Sequence, residues 1–242
     1  MNLIIDIGNS FAKLLLYKGD KVVKQVKWDK WGVRKFSAFY NKNQPDAVCM
    51  SSTQLVADNI KTFFKKKCFF IFLDEKTSIP IKNKYKTPKT LGKDRLAAVI
   101  GAYYLHPKKS CLVIDAGTCI TYDLLTKKGE YLGGNISPGI DLRLRAMHQF
   151  TAKLPLVKRK KLKKNYGIDT ESALLVGGQL GTIYEMQGFI DDYKDKYGPL
   201  NVILTGGAAN YFAKKLKTKI FVNPTLVPYG LNQILKYNVN KK

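Results

Sequence analysis

Apolar runs alternate with short polar turns from the first residues of the chain. Residues 2–7, 13–17 and 21–28 read as three successive strands, with Lys18-Gly19-Asp20 as the second turn. Asp46 to Ser51 predicts a buried strand, 54–66 an amphipathic helix, and Cys68 to Leu73 a further strand. Over 93–105, Leu96, Val99, Ile100 and Tyr103 recur at helical spacing and predict a helix with one apolar face. The order then restarts. Strands are expected at 111–115, 119–125 and 130–134, a helix after Pro138, and a long helix over roughly 171–195. A strand from Asn201 to Leu204, a helix over 208–217, a short strand at 219–222 and a helix from about 228 complete the pattern.

Three strands followed by alternating helices and strands therefore occur twice. That order predicts an α/β fold of two similar units, each a mixed sheet with flanking helices, as in RNase H-like and actin-like folds. The expected lobes are residues 1–108 and 109–242, with the active site in the cleft between them. A motif repeats along with the elements. Leu3-Ile4-Ile5-Asp6-Ile7-Gly8-Asn9-Ser10 precedes one apolar run, and Leu112-Val113-Ile114-Asp115-Ala116-Gly117-Thr118 precedes another. Each copy reads as strand, Asp-x-Gly-polar turn, strand. Glycine permits a tight turn and close approach of a phosphate, the aspartate can hold a cation, and the following hydroxyl or amide can meet a phosphate oxygen. Two such turns facing one another would clamp a nucleotide with its metal. Taken alone, Gly8-Asn9 reads more readily as a plain hairpin turn; the second copy and the glycine pair at Gly206-Gly207 reverse that preference.

Composition narrows the picture. The chain of 242 residues can bury a sizeable core, and no apolar run approaches the ~20 residues that a membrane span requires. The first residues lack the basic, apolar and small-residue sections of a signal peptide, so a cytoplasmic protein without membrane partners is expected. Cys49, Cys68, Cys111 and Cys119 have no CxxC spacing and lie in or beside apolar runs, which predicts buried reduced thiols. His106 and His148 fit no ligand or triad pattern. The net charge of +24 invites a nucleic-acid reading, yet only Arg34, Arg95, Arg143, Arg145 and Arg159 of the 42 basic residues are arginine. The densest run, Lys158 to Lys164, carries no aromatic residue for stacking, so a solvated lysine surface is the better account.

Five ordered motifs carry a resemblance to a known family. They are Asp6-Ile-Gly-Asn-Ser-Phe-Ala-Lys13, Tyr85 with Gly92-Lys-Asp-Arg95, Asp115-Ala-Gly-Thr118, Gly133-Gly-Asn-Ile-Ser-Pro-Gly139 and Leu204-Thr-Gly-Gly207. In this order the chain resembles the type III pantothenate kinases of the acetate kinase, hexokinase and actin-like ATPase superfamily. The resemblance implies ATP-dependent phosphorylation of pantothenate to 4′-phosphopantothenate, the entry step of coenzyme A synthesis, by a homodimer. It places Asp6, Ile7, Gly8, Asn9, Ser10, Phe11, Ala12, Lys13, Thr118, Gly206 and Gly207 around ATP, with Asp6 near Mg2+. Asp115 would hold a monovalent cation, K+ or NH4+. Tyr85, Gly92, Lys93, Asp94 and Arg95 would surround pantothenate, with Thr170 reaching it from the partner subunit. Asp94 would be the general base, a task a carboxylate can perform because the proton leaves late in a loose phosphoryl-transfer transition state.

Plainer roles stand beside these. Asp94 also suits the first turn of a helix, Thr170 suits an N-cap, and Gly133 to Gly139 reads as a loop leading into a helix. Lys93 departs from the family's pattern, where a small residue is usual. Two competing functions remain: another small-molecule kinase of the superfamily, and a regulatory, nucleic-acid-associated protein that keeps the fold without turnover. The Tyr85 and Gly92–Arg95 elements argue against the first, and the intact trio Asp6, Asp94 and Asp115 against the second.

Overall fold

The structure, a computed structural model, describes residues 1–8 and 11–241. It divides into two compact units: Met1–Lys108 with Thr126–Leu132 and Thr225–Lys242, and Lys109–Leu125 with Gly133–Pro224.

The first unit is built on a five-stranded sheet. Strand β1 (Asn2–Ile7) pairs antiparallel with β2 (Ala12–Lys18), which pairs with β3 (Lys21–Trp28). On its other side β1 runs parallel to β4 (Ala47–Ser52), and β4 to β5 (Phe69–Phe72), giving the order β3-β2-β1-β4-β5. β1 is buried almost throughout, as expected of a central strand covered on both faces. On one face Leu3, Ile5 and Ile7 pack with Phe36 and Tyr40 of α1 (Val33–Asn43) and with Ile60 and Phe64 of α2 (Asp58–Lys67). Helix α1 has no counterpart in the sequence reading. On the other face lie α3 (Lys93–Leu105) and α8 (Leu226–Val239).

Helix α3 has the predicted bounds but not the predicted single apolar face: Arg95 to Ala102 are all buried. It is enclosed by its neighbours because glycine lets two backbones touch. An ideal Cβ at Gly101 would stand 2.7 Å from the Leu226 carbonyl of α8, and one at Gly230 would overlap the Ala97 carbonyl of α3. A short strand, β6 (Lys82–Asn83), pairs in parallel with Glu130 and Tyr131, the first residues of β9 (Glu130–Pro138), within this unit.

The second unit repeats the arrangement. β7 (Cys111–Ala116) pairs antiparallel with β8 (Cys119–Leu125) and parallel with β10 (Asn201–Thr205), as β1 does with β2 and β4. β11 (Ile220–Val222) lies beyond β10 and the later part of β9 beyond β8, so the order β9-β8-β7-β10-β11 mirrors that of the first sheet. Leu112, Ile114, Ala116, Ile120 and Tyr122 pack on α4 (Ile140–Gln149), α5 (Thr170–Leu175), α6 (Gly181–Tyr197) and α7 (Ala209–Ala213). The expected single helix over 171–195 is two helices joined by a π-helical turn, Val176–Leu180, and the helix after β10 is shorter than predicted. The four cysteines are free, but Cys119 is exposed and Cys68 half-buried, which corrects the expectation of four buried thiols. No helix among the described residues is long and apolar enough to cross a membrane.

Candidate active site

Asp6 is the penultimate residue of β1, directly opposite Lys13 on β2. Residues opposed in an antiparallel pair share a face, and Lys27 of β3 continues the same row beyond Lys13. The hairpin between β1 and β2 closes through the Gly8 N–H, which donates to the Phe11 carbonyl at 3.0 Å. Phe11 is flanked by two ammonium groups, Lys27 Nζ at 3.6 Å and Lys13 Nζ at 5.6 Å from its ring centre. Ile7 and Ala12 are buried strand-end residues. Asn9 and Ser10 lie outside the described residues.

Asp94 sits in the first turn of α3, where the positive end of the helix favours a carboxylate. Its Oδ1 accepts from the Arg95 N–H at 2.8 Å, and Gly92 is the N-cap residue. Asp6 and Asp94 feel one another. Burial pushes the Asp6 carboxyl up to about 6 from an ordinary 3.8; Lys13 opposes the rise and Asp94 adds to it. Arg95 is 5% exposed, and its guanidinium lies 5.7 Å from the centre of the Tyr85 ring. Tyr85 in turn stacks on Tyr131, ring centres 6.2 Å apart and planes 5° from parallel. The backbone of Tyr85 is held by Asn83 Oδ1, which accepts its N–H at 2.9 Å. The first unit therefore gathers Asp6, Lys13, Tyr85, Asp94 and Arg95. Lys93 turns to the preceding loop, its Nζ donating to the Pro88 carbonyl at 3.2 Å.

The second unit gathers a matching set. Asp115 is again the penultimate residue of its strand, opposite Thr121 on β8 and beside Thr205 on β10. The Thr121 hydroxyl is buried without a hydrogen-bond partner. Gly206 takes φ +89, and a Cβ there would overlap the Asp115 carboxylate, so glycine alone lets this backbone pass the aspartate. Gly117 and Thr118 are exposed at the turn, and Gly207 is exposed after β10. The Gly139 N–H donates to the Thr118 carbonyl at 2.9 Å, tying the Ser137–Gly139 segment to that turn.

Two cation sites can be tested against these residues. A half-buried carboxylate opposite the unpartnered Thr121 hydroxyl fits a weakly hydrated monovalent ion at Asp115. Asp6, desolvated and next to a second carboxylate, fits a divalent ion that takes most of its ligands from phosphates and water. Among the described residues no cluster of three or more His, Cys, Asp or Glu side chains is arranged to hold a metal unaided.

Thr170 is exposed and is the first residue of α5, not its N-cap. The cap is Asp169, which forms a capping box with Ser172: Asp169 Oδ1 accepts the Ser172 N–H at 2.7 Å and Ser172 Oγ accepts the Asp169 N–H at 3.1 Å. Those hydrogen bonds hold the Asp169 carboxyl below its usual range. Sequence reasoning missed Tyr131 and Thr121. Tyr131 looked like an ordinary strand residue. Thr121 was legible only through its register with Asp115.

A sequence model of the type III pantothenate kinase family matches residues 2–192. A type III pantothenate kinase of Bacteroides fragilis is 44% identical over 239 residues, 98% of each chain, and one of Christiangramia forsetii is 42% identical over 98% of this chain and 99% of its own. Among solved structures, a candidate Baf family transcriptional activator from Campylobacter jejuni is similar with TM-score 0.63 at 23% identity, covering 98% of this chain and 99% of its own. A ROK hexokinase from Thermus thermophilus is similar with TM-score 0.52 at 12% identity over 98% and 99% of the two chains. At such identities the solved structures establish the fold alone, one shared with the ROK hexokinase, while the full-length sequence matches establish the family. The chain belongs to the type III pantothenate kinases.

Proposed function

We propose that the protein phosphorylates the primary hydroxyl of pantothenate with the γ-phosphoryl group of ATP, the entry step of coenzyme A synthesis. Family membership supports the activity. The observation that carries the assignment of roles is the pairing of Asp94 with Asp6 in one unit, beside the buried Arg95 stacked on Tyr85.

Asp94 is the general base. Its Oδ1 is engaged by the Arg95 N–H, which leaves Oδ2 for the substrate's proton. The hydroxyl oxygen forms a bond to the γ-phosphorus as the bond from phosphorus to the β,γ-bridging oxygen breaks. The proton passes to Asp94, and ADP carries away the bridging oxygen. Arg95 offers the pantothenate carboxylate a planar set of donors, and Tyr85 holds that guanidinium in place. Gly92 allows close approach at the helix start, and Thr170 of a partner subunit completes the pocket in a homodimer. Lys93 is the weakest member of the substrate set, because its ammonium group is turned to Pro88.

ATP phosphates are assigned to the Gly8–Lys13 and Gly117–Thr118 turns, and the nucleoside to Gly206 and Gly207. Mg2+ is assigned to Asp6 and K+ or NH4+ to Asp115; bound there, they offset the charge that develops on the transferring phosphoryl group. A cytoplasmic location accords with the substrates. The regulatory alternative rested on the net charge, and membership of a kinase family does not favour it.

A coupled assay of ADP release, run with and without pantothenate, tests the reading. ADP release that depends on pantothenate, and that drops when K+ or NH4+ is replaced by Na+, is expected. ADP release indifferent to pantothenate contradicts the acceptor. Indifference to the monovalent ion contradicts the Asp115 assignment alone.

A further inference from the structure

Glu185, on α6, belongs to none of the motifs above, yet it is the hub of a polar cluster inside the second unit. Its Oε1 accepts from the Tyr122 hydroxyl at 2.8 Å and from Ser137 Oγ at 2.6 Å. Its Oε2 pairs with the Arg143 guanidinium of α4. Arg143 also reaches back, Nε donating to the Pro138 carbonyl at 2.8 Å. One carboxylate thus joins β8, the end of β9, α4 and α6. Tyr122 is wholly buried, so its hydroxyl needs this acceptor.

The cluster bears on the phosphate turn through three consecutive residues. Ser137 and Pro138 are held by Glu185 and Arg143, and the next residue, Gly139, donates its N–H to the Thr118 carbonyl. The contact is tight. An ideal Cβ on Gly139 would lie 2.6 Å from the Gly117 carbonyl and 2.7 Å from that of Thr118. At such spacing, a small displacement of Ser137–Gly139 must displace the Gly117–Thr118 turn as well.

We propose that Glu185 is a positioning residue: by fixing Ser137 and Arg143 it sets the Gly139–Thr118 contact and hence the placement of Thr118 toward a phosphate. The proposal rests on the assignment of Thr118 to ATP phosphate. Glu185 itself touches no substrate. Burial would raise its carboxyl, but the bonds from Ser137, Arg143 and Tyr122 outweigh that and hold it below the usual range, so the clamp stays charged at neutral pH.

Steady-state kinetics on Thr118→Ala, Glu185→Gln and the double variant form the test, with Arg143→Lys as a second way to loosen the clamp. Glu185→Gln keeps shape but presents an amide N–H to Arg143. The expected result is a KM for ATP raised about tenfold in Glu185→Gln and raised again in Arg143→Lys, with kcat and the KM for pantothenate within about twofold. The double variant is expected to be no worse than Thr118→Ala, since both act through one contact. Faster hydrogen exchange at the Gly139 amide in Glu185→Gln is the readout that turnover does not supply. If Thr118→Ala leaves the KM for ATP unchanged, the phosphate assignment fails and takes this proposal with it. If Thr118→Ala raises it while Glu185→Gln and Arg143→Lys do not, the assignment stands and the positioning role of Glu185 is wrong. Equal losses in ATP, pantothenate and kcat, with unchanged Gly139 exchange, also overturn it.

Discussion

Asp6 carries an energetic burden that shows how a cation site can be recognised in a single side chain. Its carboxyl titrates at about 6 in the folded protein, against an ordinary 3.8, chiefly because it is desolvated and secondarily because Asp94 is near. Between those values the folded protein holds a proton that the unfolded chain has released, so this residue's contribution to stability falls as pH rises from about 4 to about 6. Above that window the cost is fully present. Asp6→Asn should therefore be more stable than the parent at pH 7, in the absence of nucleotide and metal, by on the order of 2–3 kcal/mol, and the gap should close near pH 4. Chemical denaturation at both pH values checks this; a gap equal at pH 4 and pH 7 contradicts it. Residue types and order made Asp6, Asp94 and Asp115 legible in the sequence. The Arg95–Tyr85–Tyr131 stack was not legible, because it depends on a two-residue strand, β6, too short to leave a period.

At the level of elements, strands were read with little error because their runs were bounded by clear turns. Two of the helix deviations have a physical reason. Alternation of apolar and polar residues fails for α3, which is enclosed on all sides, and the glycines that permit this lie far apart in sequence, at Gly101 and Gly230. Gly230→Ala should push α8 off α3 and cost about 1–3 kcal/mol or more, visible as a lowered melting temperature. Gly19→Ala, at a turn with no atom within 4 Å but with φ +62, should cost less and leave helix packing intact. An equal loss in both would mean that the α3–α8 contact is not limiting. The second deviation is the π-helical turn at Val176–Leu180. One extra residue in a turn rotates everything after it by about 100°. An unbroken 3.6-residue period therefore cannot show which side of the long segment Glu185 takes, although α6 turns it toward Tyr122, Ser137 and Arg143.

For the whole molecule, two facts stand out: the fold repeats, and the chain is strongly basic. The sheet orders β3-β2-β1-β4-β5 and β9-β8-β7-β10-β11 place Asp6 and Asp115 at equivalent positions, so the repeat seen in the motifs is a repeat of topology. The net charge of +24 comes mainly from lysines scattered along the whole sequence. It suits attraction of anionic substrates, an effect that salt screens over a Debye length of about 8 Å at physiological strength. With K+ held constant, added tetramethylammonium chloride should lower kcat/KM for MgATP while leaving kcat at saturation unchanged. A fall in kcat alone would place the charge effect in the chemical step. The central claim is chemical: Asp94 takes the proton of the attacking hydroxyl. The most direct measurement is kcat of Asp94→Asn at saturating ATP and pantothenate. A loss of about 10²–10⁴-fold, with the KM for ATP little changed, is predicted; a kcat within a few-fold of the parent would contradict the account.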